Sequence, residues 1–177
     1  MLYFESDYNQ GAHEAILRRF AETNYEHLVS YGADKCSLSA AERIKKACEC
    51  PDAEVRFLCG GTQTNEIVID SMLHISEAVI SAKTGHIYVH EAGAVEYTGH
   101  KILELPQHEG KIDAIELKQY LVDFYNDANR EHLAQPGMVY ISHPTEYGTL
   151  YSKSELTALS TVCKEYSIPL FMDGARL

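Results

Sequence analysis

Hydrophobic and polar positions follow two different periods along the chain after residue 52. Short runs rich in β-branched and aromatic residues are separated by longer stretches with the period of an amphipathic helix. This alternation is typical of βα units that build a mostly parallel sheet. The predicted strands are 54–59, 78–81, 86–90, 101–105, 137–142 and 168–172, and the predicted helices are 63–75, 113–126 and 153–166. We therefore expect an α/β fold, with a mostly parallel sheet and helices on both of its faces.

The first fifty residues carry helical patterns without a strand, from Asn9 to Asn24 and from Ser39 to Glu49. We expect a helical N-terminal arm over 1–50, which packs on something else, followed by an α/β domain over 51–177. Ser39 and Ser152 each precede a glutamate by three residues, which is the capping-box pattern of a helix start.

Composition narrows the possible partners. The 177 residues are 45% hydrophobic, enough for a sizeable core, and 26 acidic against 15 basic residues give a net charge of -11. This charge disfavours nucleic acids and anionic membranes, so we expect a small-molecule partner. No apolar run approaches the roughly 20 residues of a membrane span, and the N-terminus lacks a signal-peptide pattern. The five cysteines are odd in number and have no zinc-site spacing, which favours reduced, mostly structural thiols and a cytoplasmic protein.

Two segments place polar groups at the ends of predicted strands. In Gly60-Gly-Thr-Gln-Thr-Asn65, free N–H groups and a hydroxyl meet at a helix start, where the helix dipole favours an anion such as a phosphate. The same residues would also make an ordinary strand-to-helix turn. Asp173 and Arg176 follow the last predicted strand, where open α/β sheets bind ligands. The alternative for this pair is a surface ion pair.

His86 and His90, with Glu91 beside them, raise the question of a metal site. On a helix the two imidazoles would share one face. The intervening Ile87-Tyr-Val89 favours a strand, in which positions four apart are separated by about 13 Å, too far for one ion. We therefore predict no metal. His86 is then either a histidine satisfied within a strand or a ring that contacts a ligand and transfers a proton.

Taken together, the Gly60–Asn65 segment, the segment from His86 to Gly93 and the Asp173–Arg176 segment resemble the large domain of the threonine aldolase and β-eliminating lyase family. These enzymes use pyridoxal phosphate (PLP) and have the aspartate-aminotransferase-like fold. The resemblance implies that the PLP phosphate is held by Gly61 and Thr62, with Gly60 and Gln63 as neighbours. It also implies that His86 stacks on the pyridine ring, that Asp173 pairs with the pyridinium nitrogen, and that Arg176 binds the substrate carboxylate.

Weaker matches are Ser6-Asp7 and Tyr31-Gly32, the second corresponding to a loop that reaches the neighbouring subunit's site. At Glu146 the family's classical members carry a histidine, which leaves the choice of base open between His86 and Glu146. The implied reaction is aldol cleavage of an L-β-hydroxy-α-amino acid, such as threonine or allo-threonine, to glycine and an aldehyde. The alternatives are β-elimination on the same fold and a non-catalytic, PLP-binding, dimerising subunit.

The resemblance further implies a homodimer or homotetramer. The family's Schiff-base lysine lies beyond the segment that matches Asp173–Arg176, so none of the nine lysines present is expected to serve. We therefore expect the chain to be the N-terminal portion of a longer enzyme and to be inactive alone.

Overall fold

The computed structural model describes residues 9–175. Seven α-helices and four strands alternate along these residues, with one 3-10 helix at Arg130–His132. In chain order the elements are α1 (Glu14–Thr23), α2 (Lys35–Ala47), α3 (Gly61–Met72), β1 (Glu77–Ala82), α4 (His86–Val89), α5 (Ala94–Tyr97), β2 (Ile102–Leu105), α6 (Ala114–Asn126), β3 (Gln135–Ser142), α7 (Lys153–Glu165) and β4 (Leu170–Asp173).

The four strands form one parallel sheet in the order β2-β1-β3-β4. Val79 of β1 pairs with Ile102 of β2, and Val139 of β3 pairs with Leu170 of β4. Four of the six predicted strands are therefore confirmed. Because β1 lies beside both β2 and β3, the chain leaves β1 toward one edge of the sheet and then crosses back to the other side.

The sheet separates two hydrophobic cores, since successive side chains on a strand point to opposite faces. On one face, Val79, Met138 and Tyr140 pack with Ile69 of α3 and Val95 of α5. On the other face, the buried side chains include Ile80, Val139 and Ile141 from the strands, Leu117 and Leu121 from α6, and Leu159 and Val162 from α7. Both faces are covered by helices, as the α/β prediction requires.

The described chain divides into two compact units, residues 9–57 and 58–175. In the first unit, no residue of α1 or α2 is buried, and apolar side chains such as Leu17 and Phe20 are more than half exposed. The predicted start at Ser39 is wrong: α2 begins at Lys35, because the Asp34 carboxylate accepts hydrogen bonds from the next N–H groups and caps the helix earlier. The capping box at Ser152 is confirmed as the start of α7.

Two predicted strands are wrong. Residues 54–59 have strand-like composition, yet they pair with no described strand, and without a ladder of hydrogen bonds an extended segment is not a strand. Residues 86–90 form the short helix α4, in which the His90 N–H bonds to the His86 carbonyl at 2.9 Å. Burial of Ile87 in the core below this turn outweighs the weak β-propensity of a three-residue run.

All five cysteines are free, and four of them are exposed. The expectation of mostly structural thiols therefore holds for Cys163 alone, which is buried. Burial raises the pKa of this thiol to about 11. Between residues 9 and 175, none of the helices has the length and apolar character needed to cross a membrane.

Candidate functional site

The candidate site lies at the carboxyl edge of the sheet, at the point where the strand order reverses. From β1 the chain proceeds to β2 on one side, while β3 and β4 lie on the other side. Ser142 and Asp173 end two of these strands, and α4 starts just after β1. Open α/β sheets bind ligands in the crevice outside such a reversal, so the topology itself places a cleft here.

Asp173 is fixed by three hydrogen-bond donors. Its Oδ2 accepts from the Tyr140 hydroxyl at 2.7 Å and from the Asn65 amide at 3.1 Å. Its Oδ1 accepts from the Ala175 N–H at 3.2 Å. Burial, followed by the negative charge of Asp173, raises the pKa of Tyr140 far above its ordinary value, so this hydroxyl remains a donor. The carboxylate is thereby held in one orientation at the rim of the cleft.

His86 is oriented by a buried carboxylate. Its Nδ1 lies 2.8 Å from Oε1 of Glu91, a side chain with no solvent exposure, whereas 36% of the His86 side chain is exposed. The same Glu91 oxygen accepts from the Asn65 amide at 2.8 Å. One imidazole edge is therefore held by the protein, while part of the ring remains open to the cleft.

Glu146 lies on the loop after β3 and also lines the cleft. The Ser142 hydroxyl donates to its Oε1. Its Oε2 is buried and has no hydrogen-bond partner among the described residues, and the same is true of Oε2 of Glu91. Unpaired buried carboxylate oxygens are costly, so two of them lining one cleft indicate a place where a ligand supplies the missing donors.

The N-terminus of α3 is open toward the same cleft. Gly60 precedes the helix with extended backbone, and no side chain caps the start. A Cβ built on Gly60 or Gly61 would meet no atom within 4 Å, so the space before these glycines is free. The first N–H groups of the helix lack intrahelical acceptors and favour an anion. The Gln63 side chain instead accepts the Cys59 N–H at 2.9 Å and closes the turn.

The structure brings four of the ten predicted site residues to one cleft, namely Gly61, His86, Glu146 and Asp173, whereas Gly60 does not line it. The cleft is lined by Gly61, His86, Glu91, Ser142, Pro144, Glu146, Asp173 and Ala175. Thr62 and Gln63 follow Gly61 in the first turn of α3 but are not among the lining residues. Tyr31 belongs to the N-terminal unit, where its side chain is fully exposed and its backbone has φ of 63°. Ser6 and Arg176 lie outside the described residues.

Three residues of the hydrogen-bond network were not predicted from the sequence, namely Asn65, Tyr140 and Ser142. Asn65 belongs to the Gly60–Asn65 segment, but it lies four residues after Gly61 in the helix, and nothing in the segment indicates a contact with Asp173. Tyr140 and Ser142 are two residues apart at the end of β3, so their side chains point to the same face of the sheet. In a parallel sheet the carboxyl ends of neighbouring strands meet at one edge. That rule could have found them.

The strand geometry predicted to keep His86 and His90 apart is wrong. His86 is the first residue of α4 and His90 is the residue that follows its last turn. Their ring centroids are therefore 5.4 Å apart, whereas a strand would separate the two positions by about 13 Å. Ligand atoms of His86, Glu91 and Asp173 lie within 4.8 Å of one another. The absence of a metal stays a prediction.

The parallel sheet with helices on both faces and a polar cleft at its carboxyl edge is an α/β fold of the aminotransferase-like type. An aminotransferase from Escherichia coli matches with a TM-score of 0.69 and 15% identity, over 94% of this chain and 40% of that chain, which shows the fold alone. The chain belongs to the β-eliminating lyase family, whose profile matches residues 4–177.

Closer similarities are to threonine aldolases. A low specificity L-threonine aldolase from Pseudomonas sp. (strain NCIMB 10558) is 31% identical over 175 residues, covering 98% of this chain and 49% of the relative. The structure of the Leishmania major threonine aldolase matches with a TM-score of 0.90 and 44% identity, over 96% of this chain and 48% of that chain. The chain thus spans about half the length of the relatives it matches.

Proposed function

We propose that this chain forms the cofactor-binding part of a PLP-dependent lyase that cleaves an L-β-hydroxy-α-amino acid, threonine or allo-threonine, to glycine and an aldehyde. The observation that carries the proposal is the single cleft lined by Gly61, His86, Glu146 and Asp173. The similarity to threonine aldolases over nearly the whole chain supports the choice of reaction.

The residues present fit PLP in three respects. The open space before Gly60 and Gly61, at an uncapped helix start, suits a phosphate. The Asp173 carboxylate, held by three donors, offers an oxygen to a protonated pyridine nitrogen. The partly exposed ring of His86 lies in the same cleft and can contact a flat aromatic ring.

PLP, when bound, supplies an electron sink for the electron pair that cleavage leaves on the substrate's Cα. The protein's part is to bind, orient and move protons. We assign the substrate carboxylate to Arg176, with Ser6 and Tyr31 as further contacts, on the basis of the resemblance. Planar, bidentate donors such as a guanidinium are well suited to a carboxylate.

The β-hydroxyl proton requires an acceptor, and two side chains of the cleft are available. Glu146 presents the buried, unpartnered Oε2, which suits a hydroxyl donor. His86 presents the part of its ring that faces away from Glu91. We favour Glu146 as the base, because its free oxygen needs a donor and Ser142 already holds the other oxygen.

The second candidate function is β-elimination of a leaving group at Cβ. It is favoured by the glutamate at position 146, which stands where the family's classical threonine-cleaving members carry a histidine. A panel containing L-allo-threonine, L-threonine and an S-substituted cysteine separates the two reactions by the product formed, an aldehyde or a thiol. A third possibility, a non-catalytic subunit, predicts cofactor affinity without turnover in every assembly tested.

A homodimeric or homotetrameric assembly in the cytoplasm belongs to the same proposal. It is supported by the exposed apolar side chains of α1, including Leu17 and Phe20, which an isolated unit leaves in contact with water. Sedimentation of the purified chain tests it, and a strictly monomeric species would refute it.

The cofactor assignment is tested by titrating the purified chain with PLP and with pyridoxamine 5'-phosphate, which has no aldehyde and binds without a covalent bond. Saturable binding at one equivalent is expected for both compounds. Absence of pyridoxamine phosphate binding to a folded chain would refute the assignment of the cleft.

A further inference from the structure

Two negatively charged side chains of the cleft meet on a single amide group. The Asn65 Nδ2 lies 2.8 Å from Oε1 of Glu91 and 3.1 Å from Oδ2 of Asp173. Asn65 is 2% exposed, and the three residues come from three different parts of the chain. The contact to Asp173 spans 108 positions of sequence, so the fold, and not local geometry, creates it.

The chemistry of the amide fits this position. A carboxamide NH2 group has two hydrogens, so it can donate one to each carboxylate. Both neighbours accept, which fixes the amide with its nitrogen toward them. An aspartate of the same shape would bring a third carboxylate against two others, and a leucine would leave both carboxylates without this donor.

Each carboxylate bound by Asn65 has a second task in the cleft. Oε1 of Glu91 also contacts His86 Nδ1 at 2.8 Å, which leaves Nε2 as the nitrogen free to face a ligand. Oδ2 of Asp173 also accepts from the Tyr140 hydroxyl at 2.7 Å, whereas Oδ1 accepts only the Ala175 N–H and keeps a lone pair for a ligand. Fixing the inner oxygens therefore determines which atoms the protein presents to the cleft.

We infer that Asn65 is a positioning residue that clamps Glu91 and Asp173, and through them sets the ring of His86 and Oδ1 of Asp173 relative to each other. The role of the clamp toward a ligand rests on the proposed function, in which His86 would stack on the face of the pyridine ring and Asp173 would pair with its nitrogen. The hydrogen bonds themselves belong to the chain alone.

The clamp has a direct signature in nuclear magnetic resonance of the 177-residue chain without ligand. The two side-chain amide protons of Asn65, assigned by their loss in Asn65→Leu, should be shifted downfield and slow to exchange compared with an amide on the surface such as Asn126. Asp173→Ala should shift one of the two protons, and Glu91→Met should shift the other. Asn65 signals that match Asn126 in shift and exchange would overturn the clamp.

The consequence for the ligand is tested with two probes, pyridoxamine 5'-phosphate and inorganic phosphate. Asn65→Leu and the isosteric Asn65→Asp should each weaken pyridoxamine phosphate binding about 10-fold or more, which corresponds to about 1.4 kcal/mol. Inorganic phosphate binding should stay within twofold, because the start of α3 is unchanged. Equal losses for both probes would indicate a merely structural role and would also overturn the inference. Asn126→Leu is the matched control.

The two tests separate the inference from the proposed function. If the wild-type chain binds phosphate but not pyridoxamine phosphate, the proposed cofactor is wrong, and the resonance experiment still decides the clamp. If the wild-type chain binds both probes and the Asn65 variants bind them equally well, the cofactor assignment holds and the clamp is wrong. Thermal unfolding of each variant shows whether the chain is folded at the temperature of the measurement.

Discussion

Replacing Asp173 by asparagine removes the acceptor for a pyridinium nitrogen and keeps the hydrogen bonds from Tyr140 and Asn65. The asparagine oxygen can take the place of Oδ2 and still accept from Tyr140 and Asn65. Its amide NH2 then takes the place of Oδ1, where it meets the Ala175 N–H and would meet the ligand's own N–H donor. The substitution thus places a donor against a donor at one atom.

The magnitude follows from the bond that is lost. A hydrogen bond that involves a charged group contributes about 1.5–3 kcal/mol, and each 1.4 kcal/mol is a factor of ten in affinity. Asp173→Asn should therefore weaken pyridoxamine 5'-phosphate binding by about 10- to 100-fold. Inorganic phosphate, which requires the α3 N-terminus and not the carboxylate, should bind as before.

The assay is a calorimetric titration of the purified chain at one pH and one ionic strength, with both probes. Asp113→Asn is the matched control, since Asp113 caps the start of α6 outside the cleft and asparagine caps a helix equally well. A pyridoxamine phosphate affinity within twofold of the wild type, in a folded variant, would refute the role given to Asp173.

Three further substitutions test other parts of the structure. Gly61→Val should abolish phosphate binding, because its side chain would fill the open space at the uncapped start of α3. Gly11→Val, whose side chain also enters open space but belongs to the N-terminal unit, is the control, and equal phosphate affinities of the two variants would contradict a phosphate site at this helix start. In an active enzyme containing this chain, Glu146→Gln should lower kcat for L-allo-threonine by about 100-fold or more if Glu146 is the base, and an unchanged kcat would point to His86 instead. The hydrogen bond from Lys111, followed by the hydrogen bonds at the start of α7, lowers the pKa of Glu155 to about 2. The ionised carboxylate therefore stabilises the fold fully at pH values above the ordinary glutamate pKa, and this stabilisation is lost as pH falls through about 2. Because this side chain is 42% exposed, Glu155→Gln should cost about 0.5–1 kcal/mol of unfolding free energy at pH 7 and clearly less at pH 2, where the carboxyl of the folded protein is partly protonated. Urea unfolding at both pH values measures the difference, and a cost independent of pH would contradict the assignment.

The sequence predicted the elements whose signals are local and repeated. Helix α7 has a capping box at Ser152 and several turns of apolar periodicity, and both signals point to the same helix. Strand β3 contains an unbroken run of apolar residues at 138–141, which is typical of a strand buried on both faces. Predictions failed where the run was short, as for His86–Val89, or where a partner strand was required, as for 54–59.

What the sequence by itself determined is the fold class and the residue types of the site. The period of its apolar positions specifies strands and helices in alternation, and three separated segments carry the glycines, the histidine and the carboxylate. These are properties of residues close together in the chain.

The tertiary structure alone decided how those residues meet. It turned residues 86–89 into a helix, which placed His86 against Glu91, and it brought Asn65 to Asp173 across 108 positions. The physical reason is that a hydrogen bond between distant residues depends on the register of the sheet and on the packing of both cores. No pattern within one segment contains that information.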